Sequence, residues 1–436
     1  MTLLNQIRYT LWGPFTVLLI LFTGIYLTFS SSFVQFWCFP KLLKLKNNTS
    51  KNGISPFEAL CTSLGGTLGV GNLAGVAIAI QLGGAGAVFF MLVAAFFGMA
   101  TKYSELLLAV HYQTKDKSPI GGPMVYLSKG ADLPLLAKIF AIFCVISAVG
   151  TGAAAQGSAI AEAVSNVLPI SKIFIGIITG ILLLPILYGG SERIAKVSSV
   201  IVPFMTVCYL SAGIIVLIIH KNEIPNAILK IFYGVTEPLA AGGGLIGFIT
   251  SRAISDGFAK GVFSNEAGMG SAPIAHGCTV GAKPCQEGML GAIEVFIDTF
   301  VVCLMTSLVI LVTGADNSGL YGLSMTSFAF SSLFGNIANE FISITVVFLA
   351  VSTVLGWSFY GLTCLKWLNI KNISFYPVLI AISVALASHF PLIDLLILCD
   401  IASALMALPN LYGLWILAPV VNKQTKLFLG IKKHTD

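Results

Sequence analysis

The chain has 436 residues, of which 56% are hydrophobic and only 10% charged, with a net charge of +6. Soluble domains carry about 25% charged residues, so soluble classes are excluded, and no basic stripe is present to meet nucleic acid. What is left is an all-α polytopic membrane protein, read as one transmembrane domain over residues 1–435 in contact with the lipid bilayer.

Taking roughly 20 apolar residues per crossing, the chain reads as eleven spans: 10–30, 57–82, 84–111, 135–165, 171–189, 195–219, 244–280, 286–314, 337–365, 374–390 and 395–420. The first lacks an A-x-A cleavage site and reads as a retained extra helix rather than a signal peptide. The nine Cys contain no CxxC pair, which argues against a disulfide framework or a metal site. With the N-terminus outside, cytoplasmic segments hold sixteen Lys and Arg and external segments four. That bias predicts an N-terminus outside and a C-terminus inside, and the membrane is read as a bacterial-type cytoplasmic one.

Two spans carry breaks. The second contains Gly65-Gly66-Thr67-Leu68-Gly69-Val70-Gly71-Asn72, and the seventh contains Phe263-Ser264-Asn265-Glu266-Ala267-Gly268-Met269-Gly270-Ser271. Spans two to six (57–219) and seven to eleven (236–420) then form two five-helix units, each opening on a broken helix. Five is odd, so the units are inverted relative to each other, which points to an inverted-repeat secondary transporter. A broken helix offers N–H groups to a carboxylate and carbonyls to a cation. The competing reading of the same glycines is close helix packing.

Further polar groups lie where hydrocarbon is expected, and such groups must pair or face water. Arg252, Asp256 and Lys260 share one helix face as an ion ladder, with Glu266 beside the break, and these are the gating candidates. Asp298 is the most isolated carboxylate, either a cation ligand or half of a structural pair. Ser352 and Thr353 supply adjacent hydroxyl oxygens of the kind hard cations prefer. Gln156 lies among small residues as the side of a pocket, with Phe263 and Trp357 as apolar walls.

Long stretches of the chain resemble the alanine/glycine:sodium symporters. They are Gly65 to Ala77, Gly98-Met99-Ala100-Thr101-Lys102-Tyr103-Ser104-Glu105, Gly121-Gly122-Pro123-Met124, Phe263 to His276, Phe296-Ile297-Asp298-Thr299 and Met406-Ala407-Leu408-Pro409-Asn410. The resemblance implies the fold of sodium-coupled neurotransmitter transporters and import of a small neutral amino acid with Na⁺, with no other cofactor. It implies a Na⁺ held by backbone near Gly65 and Leu68 with Ser352 and Thr353, and a ligand of a second Na⁺ site at Asn72, with Asp298 as its stand-in. It also implies a substrate site from Thr67, Gly69, Gly71, Asn72, Gln156, Phe263 and Trp357. Val70 and Lys260 depart from the family's usual Thr and Arg, which leaves the substrate preference open. Coupling to H⁺ through Asp298 or Glu266 is the alternative reading. An enzyme is disfavoured, because the five His are dispersed and no HExxH occurs.

Overall fold

The structure is a computed structural model that describes residues 11, 14–42, 53–240, 252–390 and 392–431. Among these residues the chain is helical, with one isolated backbone bridge between Ile54 and Thr279. In chain order the helices are α1 (Pro14–Ser30), α2 (Val34–Leu42), α3 (Pro56–Thr67), α4 (Ala74–Gly83), α5 (Gly86–His111), α6 (Pro123–Lys129) and α7 (Pro134–Ser147). They continue as α8 (Ala155–Ser165), α9 (Lys172–Tyr188), α10 (Gly190–Ile219), α11 (Ile224–Ala240), α12 (Arg252–Asn265), α13 (Ala272–His276) and α14 (Pro284–Val295). The last five are α15 (Leu304–Val312), α16 (Leu323–Phe334), α17 (Ala338–Trp367), α18 (Tyr376–Ala387) and α19 (Leu392–Leu429).

Six of the described helical stretches are long and apolar enough to cross a bilayer, and two bent pairs bring the number to eight. The bends are 60° between α1 and α2 and 62° at the break after α3. Helices α9 and α18 are apolar but short, with 17 and 12 residues. The expected span 244–280 falls partly on residues 241–251, outside the described residues. Among the described residues, four helices lie where no span is expected, namely α2, α6, α11 and α16. The last of these occupies the stretch 315–336 that reads as a long external loop.

The outward faces explain why few charges suffice. On α10, exposed Val200, Phe204, Val207, Ile214 and Ile218 recur at helical spacing, a stripe that suits lipid and not water. The interior is the polar side in places. Lys102, Glu105, Glu266, His276, Glu287, Glu294 and Asp298 are all buried. Helix α5 packs most heavily against α12 and α14, while α17 packs against α3, α8 and α10. The two broken helices therefore lie between α5 on one side and α17 on the other.

Candidate functional site

Helix α3 starts on a capping box, in which the Ser55 hydroxyl accepts from the Glu58 N–H and Glu58 Oε2 accepts from the Ser55 N–H. It stops at Leu68, whose backbone leaves the helical region. The Leu64 carbonyl still accepts from the Leu68 N–H at 2.7 Å, whereas the last carbonyls after it lie beyond the helical ladder and carry the negative end of the helix dipole. One of them is engaged from α17. The Gly65 carbonyl accepts from Thr353 Oγ1 at 3.1 Å and lies 3.4 Å from Ser352 Oγ. The structure thus brings Gly65, Ser352 and Thr353 together and places Leu68 in the turn that follows.

The glycines of the stretch differ in what surrounds them. A Cβ on Gly65 would sit 3.2 Å from the Ser352 carbonyl, and one on Gly66 would sit 2.7 Å from the Tyr360 hydroxyl. Those two serve packing. Gly69 faces Thr353 Oγ1 at 3.2 Å, whereas Gly71 and Gly75 have nothing within 4 Å. They line a cavity of 170 Å³ with Val70, Ala74, Thr151, Gln156, Lys260, Phe263 and Ser264. The start of α4, with its free N–H groups, is one wall of that cavity.

Gln156 reaches the cavity from the first turn of α8, just after a π-turn over Ala148–Ala154, a helical irregularity often found at functional positions. Its Nε2 donates to the Thr151 carbonyl at 3.2 Å, and its buried Oε1 has no hydrogen-bond partner. A buried acceptor without a donor costs about 1–3 kcal/mol. This one is closed off from the cavity in the structure, and a rotation of the amide would present it to a donor there.

Asn72 and Asp298 tie the two breaks together. Asn72 Oδ1 accepts from the Gly69 N–H at 3.0 Å, and Nδ2 donates to Asp298 Oδ1 at 2.7 Å. The other Asp298 oxygen accepts from Ser264 at 2.9 Å and Thr299 at 2.8 Å. Asp298 lies in a second π-turn, Phe296–Cys303. The carboxylate thus has three donors.

The second break is a left-handed turn, with φ of +52° at Glu266, +90° at Gly268 and +80° at Gly270. Only glycine adopts such angles freely, which accounts for the two glycines. The Gly270 N–H donates to Glu105 Oε1 at 3.0 Å, and Asn410 Nδ2 donates both to that oxygen and to the Gly268 carbonyl. Glu266 itself accepts from Ser271.

Several expected site residues lie elsewhere. Thr67, Gly69, Asn72 and Trp357 are not among the residues that line the cavity. Trp357 is fully buried, with its Cβ against Gly152. It packs α17 onto the π-turn and supports the cavity wall from behind instead of forming it. Lys260 lines the cavity, while the side chains of Arg252 and Asp256 lie outside the described residues, so the ion ladder is not described.

A buried network beside the site has no counterpart in the sequence reading. Lys102 of α5 pairs with Glu294 of α14 at 3.3 Å. The other Glu294 oxygen accepts from Ser63 at 2.8 Å, Ser63 lies 3.2 Å from His276 Nε2, and His276 Nδ1 meets Glu287. The signal was present, since Lys102 and Glu105 interrupt an apolar helix as Asp298 does. The partner of each is too distant in sequence to be read.

The profile of the sodium:alanine symporter family matches residues 1–436. The sodium/alanine symporter AgcS of Methanococcus maripaludis is 40% identical over 452 residues, covering 99% of this chain and 98% of that protein. An uncharacterized transporter of Haemophilus influenzae is 39% identical, covering 98% of this chain and 95% of its own length. The amino-acid carrier protein AlsT of Bacillus subtilis is 32% identical, covering 94% and 88%.

Proposed function

Because the chain belongs to the sodium:alanine symporter family, we propose that it imports a small neutral amino acid, alanine or glycine, together with Na⁺ by alternating access. In this reading the chain crosses the cytoplasmic membrane eleven times, N-terminus outside, with a five-plus-five inverted repeat behind one extra helix. The Na⁺ sits between the last turn of α3 and α17, held by the carbonyls of Gly65 and Leu68 and the hydroxyls of Ser352 and Thr353. The substrate carboxylate faces the start of α4 near Gly71, and its ammonium group donates to Gln156 Oε1.

The observation that carries the reading is the unpartnered oxygen of Gln156, a residue that lines a small cavity beside the end of a broken helix. Size supports it. A cavity of about 150 Å³ takes benzene, with six heavy atoms, and alanine also has six, against the 170 Å³ found here. Leucine would need the walls at Phe263 and Val70 to move. Coupling follows if Na⁺ orders the turn after Leu68 and so completes the substrate site, because each ligand then tightens the other equally.

The test is uptake of radiolabelled alanine into proteoliposomes under Na⁺, K⁺ or H⁺ gradients. Accumulation above equilibrium only with Na⁺ is expected, with glycine competing and leucine not. Accumulation that follows the proton gradient would replace Na⁺ by H⁺ and move the coupling role to Asp298.

A variant series separates ion from substrate. Thr353→Val keeps the side-chain shape and removes the hydroxyl, and Ser352→Ala does the same for its neighbour. Losing even an outer partner of a metal ligand costs about 10–100-fold in affinity. Half-saturating Na⁺ is therefore expected to rise at least tenfold in the double variant, with alanine affinity at saturating Na⁺ nearly unchanged. An unaltered Na⁺ dependence would remove these residues from the ion site.

A further inference from the structure

A groove of 830 Å³ opens between α1 and the far end of α19, away from the candidate transport site. Its walls include Tyr26 and Ser30 on one side and Pro419, Asn422, Lys423 and Lys426 on the other. We propose that this groove binds the headgroup of a net-anionic phospholipid, with the lipid's acyl chains lying along α1.

The charge is unbalanced at one end. Lys423 and Lys426 are three residues apart, hence neighbours on one helix face, and both are exposed. No acidic residue lines the groove, and among the described residues no carboxylate pairs with either lysine. Lys41 of α2 does not line the groove; its ammonium sits 4.8 Å above the ring of Phe428, which is not a lining residue either. Basic pockets between membrane helices are suited to anionic headgroups.

The other end of the groove is apolar and continuous with the lipid-facing surface. Leu18, Phe22, Tyr26 and Phe29 are exposed at spacings of four, four and three, which is a single stripe along α1. The aromatic rings mark the headgroup level. Tyr26 stacks on Trp415 with centroids 4.7 Å apart, and the Trp415 Nε1 donates to Thr23 at 2.8 Å. Tyr and Trp concentrate at that depth because one end of each ring is apolar and the other polar. Phosphate at the lysines and hydrocarbon along the stripe are two halves of one molecule. A free phosphate would satisfy only the first, and a zwitterionic lipid carries no net charge for the lysines to neutralise.

The proposal depends only on the chain spanning a membrane, so it stands or falls apart from the transport reading. The test is native mass spectrometry of the full chain in detergent, titrated with phosphatidylglycerol, phosphatidylcholine or inorganic phosphate. Wild type is expected to retain phosphatidylglycerol well above phosphatidylcholine, and millimolar phosphate should not displace it. Each lysine near an anionic surface contributes about fivefold in affinity, so Lys423→Gln/Lys426→Gln should lose about 25-fold for phosphatidylglycerol alone. Lys423→Arg/Lys426→Arg should keep it. Equal retention of the two lipids by wild type, displacement by phosphate, or a Gln double variant that binds like wild type would each overturn the proposal.

Discussion

Replacing Lys102 by methionine is expected to destabilise the protein by about 3 kcal/mol, because it strands a buried carboxylate. Lys102 and Glu294 are 0% and 1% exposed and 3.3 Å apart. Removing one partner of a buried pair costs about 3–5 kcal/mol. The lower end is expected here, since unfolded states within the membrane also find partners. Glu294→Leu should cost as much by stranding the ammonium group. The double variant Lys102→Met/Glu294→Leu should recover at least about 1.5 kcal/mol of the summed loss, because apolar residues of similar volume replace buried pairs at little cost. Ser63 would still have His276 Nε2 as an acceptor at 3.2 Å. Unfolding of the purified variants in mixed detergent measures this cycle. Single variants within about 0.5 kcal/mol of wild type, or a double variant equal to the sum, would show that the pair is not coupled.

Gly356→Ala should nearly abolish Na⁺-driven uptake while the chain still folds. A Cβ at Gly356 would sit 2.7 Å from the Gly66 nitrogen, 2.8 Å from the Thr62 carbonyl oxygen and 2.9 Å from the Gly66 Cα. All three are backbone atoms, so α3 and α17 must separate. Overpacking of this kind costs about 1–3 kcal/mol, which a chain of this size survives. The larger effect is geometric. Gly356 is one turn from Ser352 and Thr353, and Gly66 adjoins Gly65, so the proposed ion ligands move apart. Misplacement by about 1 Å costs reacting groups on the order of 10²-fold, and a loss of uptake above tenfold with raised Na⁺ requirement is expected. Gly71→Ala is the contrast, because nothing lies within 4 Å of its added methyl. It should narrow the cavity and weaken alanine binding with Na⁺ dependence intact. Wild-type Na⁺ dependence in Gly356→Ala would mean that the contact of α3 with α17 does not position the ion.

What the sequence showed of this site depended on local contrast. Glycines and polar residues within apolar runs mark both breaks, and the structure puts a helix end at each, Thr67 and Asn265. The hydroxyl pair Ser352 and Thr353 was legible for the same reason. Trp357 was not, because α17 is apolar on almost every face and gives no periodicity to orient a ring. The π-turns at Ala148–Ala154 and Phe296–Cys303 left no compositional trace either. An extra residue per turn changes which side chains face the cavity without changing how hydrophobic the segment is. The helix α16 was hidden by the polar and glycine residues before it, which read as loop. Pairings across the fold, such as Lys102 with Glu294 or Glu105 with Asn410, depend on topology that one sequence cannot supply.

The contrast between α17 and α3 bears on how tightly the proposed ion can be held. Helix α17 runs unbroken for 30 residues, Ala338–Trp367, and is buried along most of its length. The wall opposite ends in a turn without continuous helical bonds. An ion between them has one rigid and one compliant wall, so part of its interaction energy is consumed in ordering backbone that was free before. Such a site binds more weakly than a cage built from two rigid helices with the same oxygens. For a carrier that weakness is a working property. A cation that lets go only over hours would stop the cycle after one turn, and conduction of any ion requires capture that is favourable yet loose enough to reverse. If the proposed ion sits there, the glycines that end α3 early would set its residence time as much as its location.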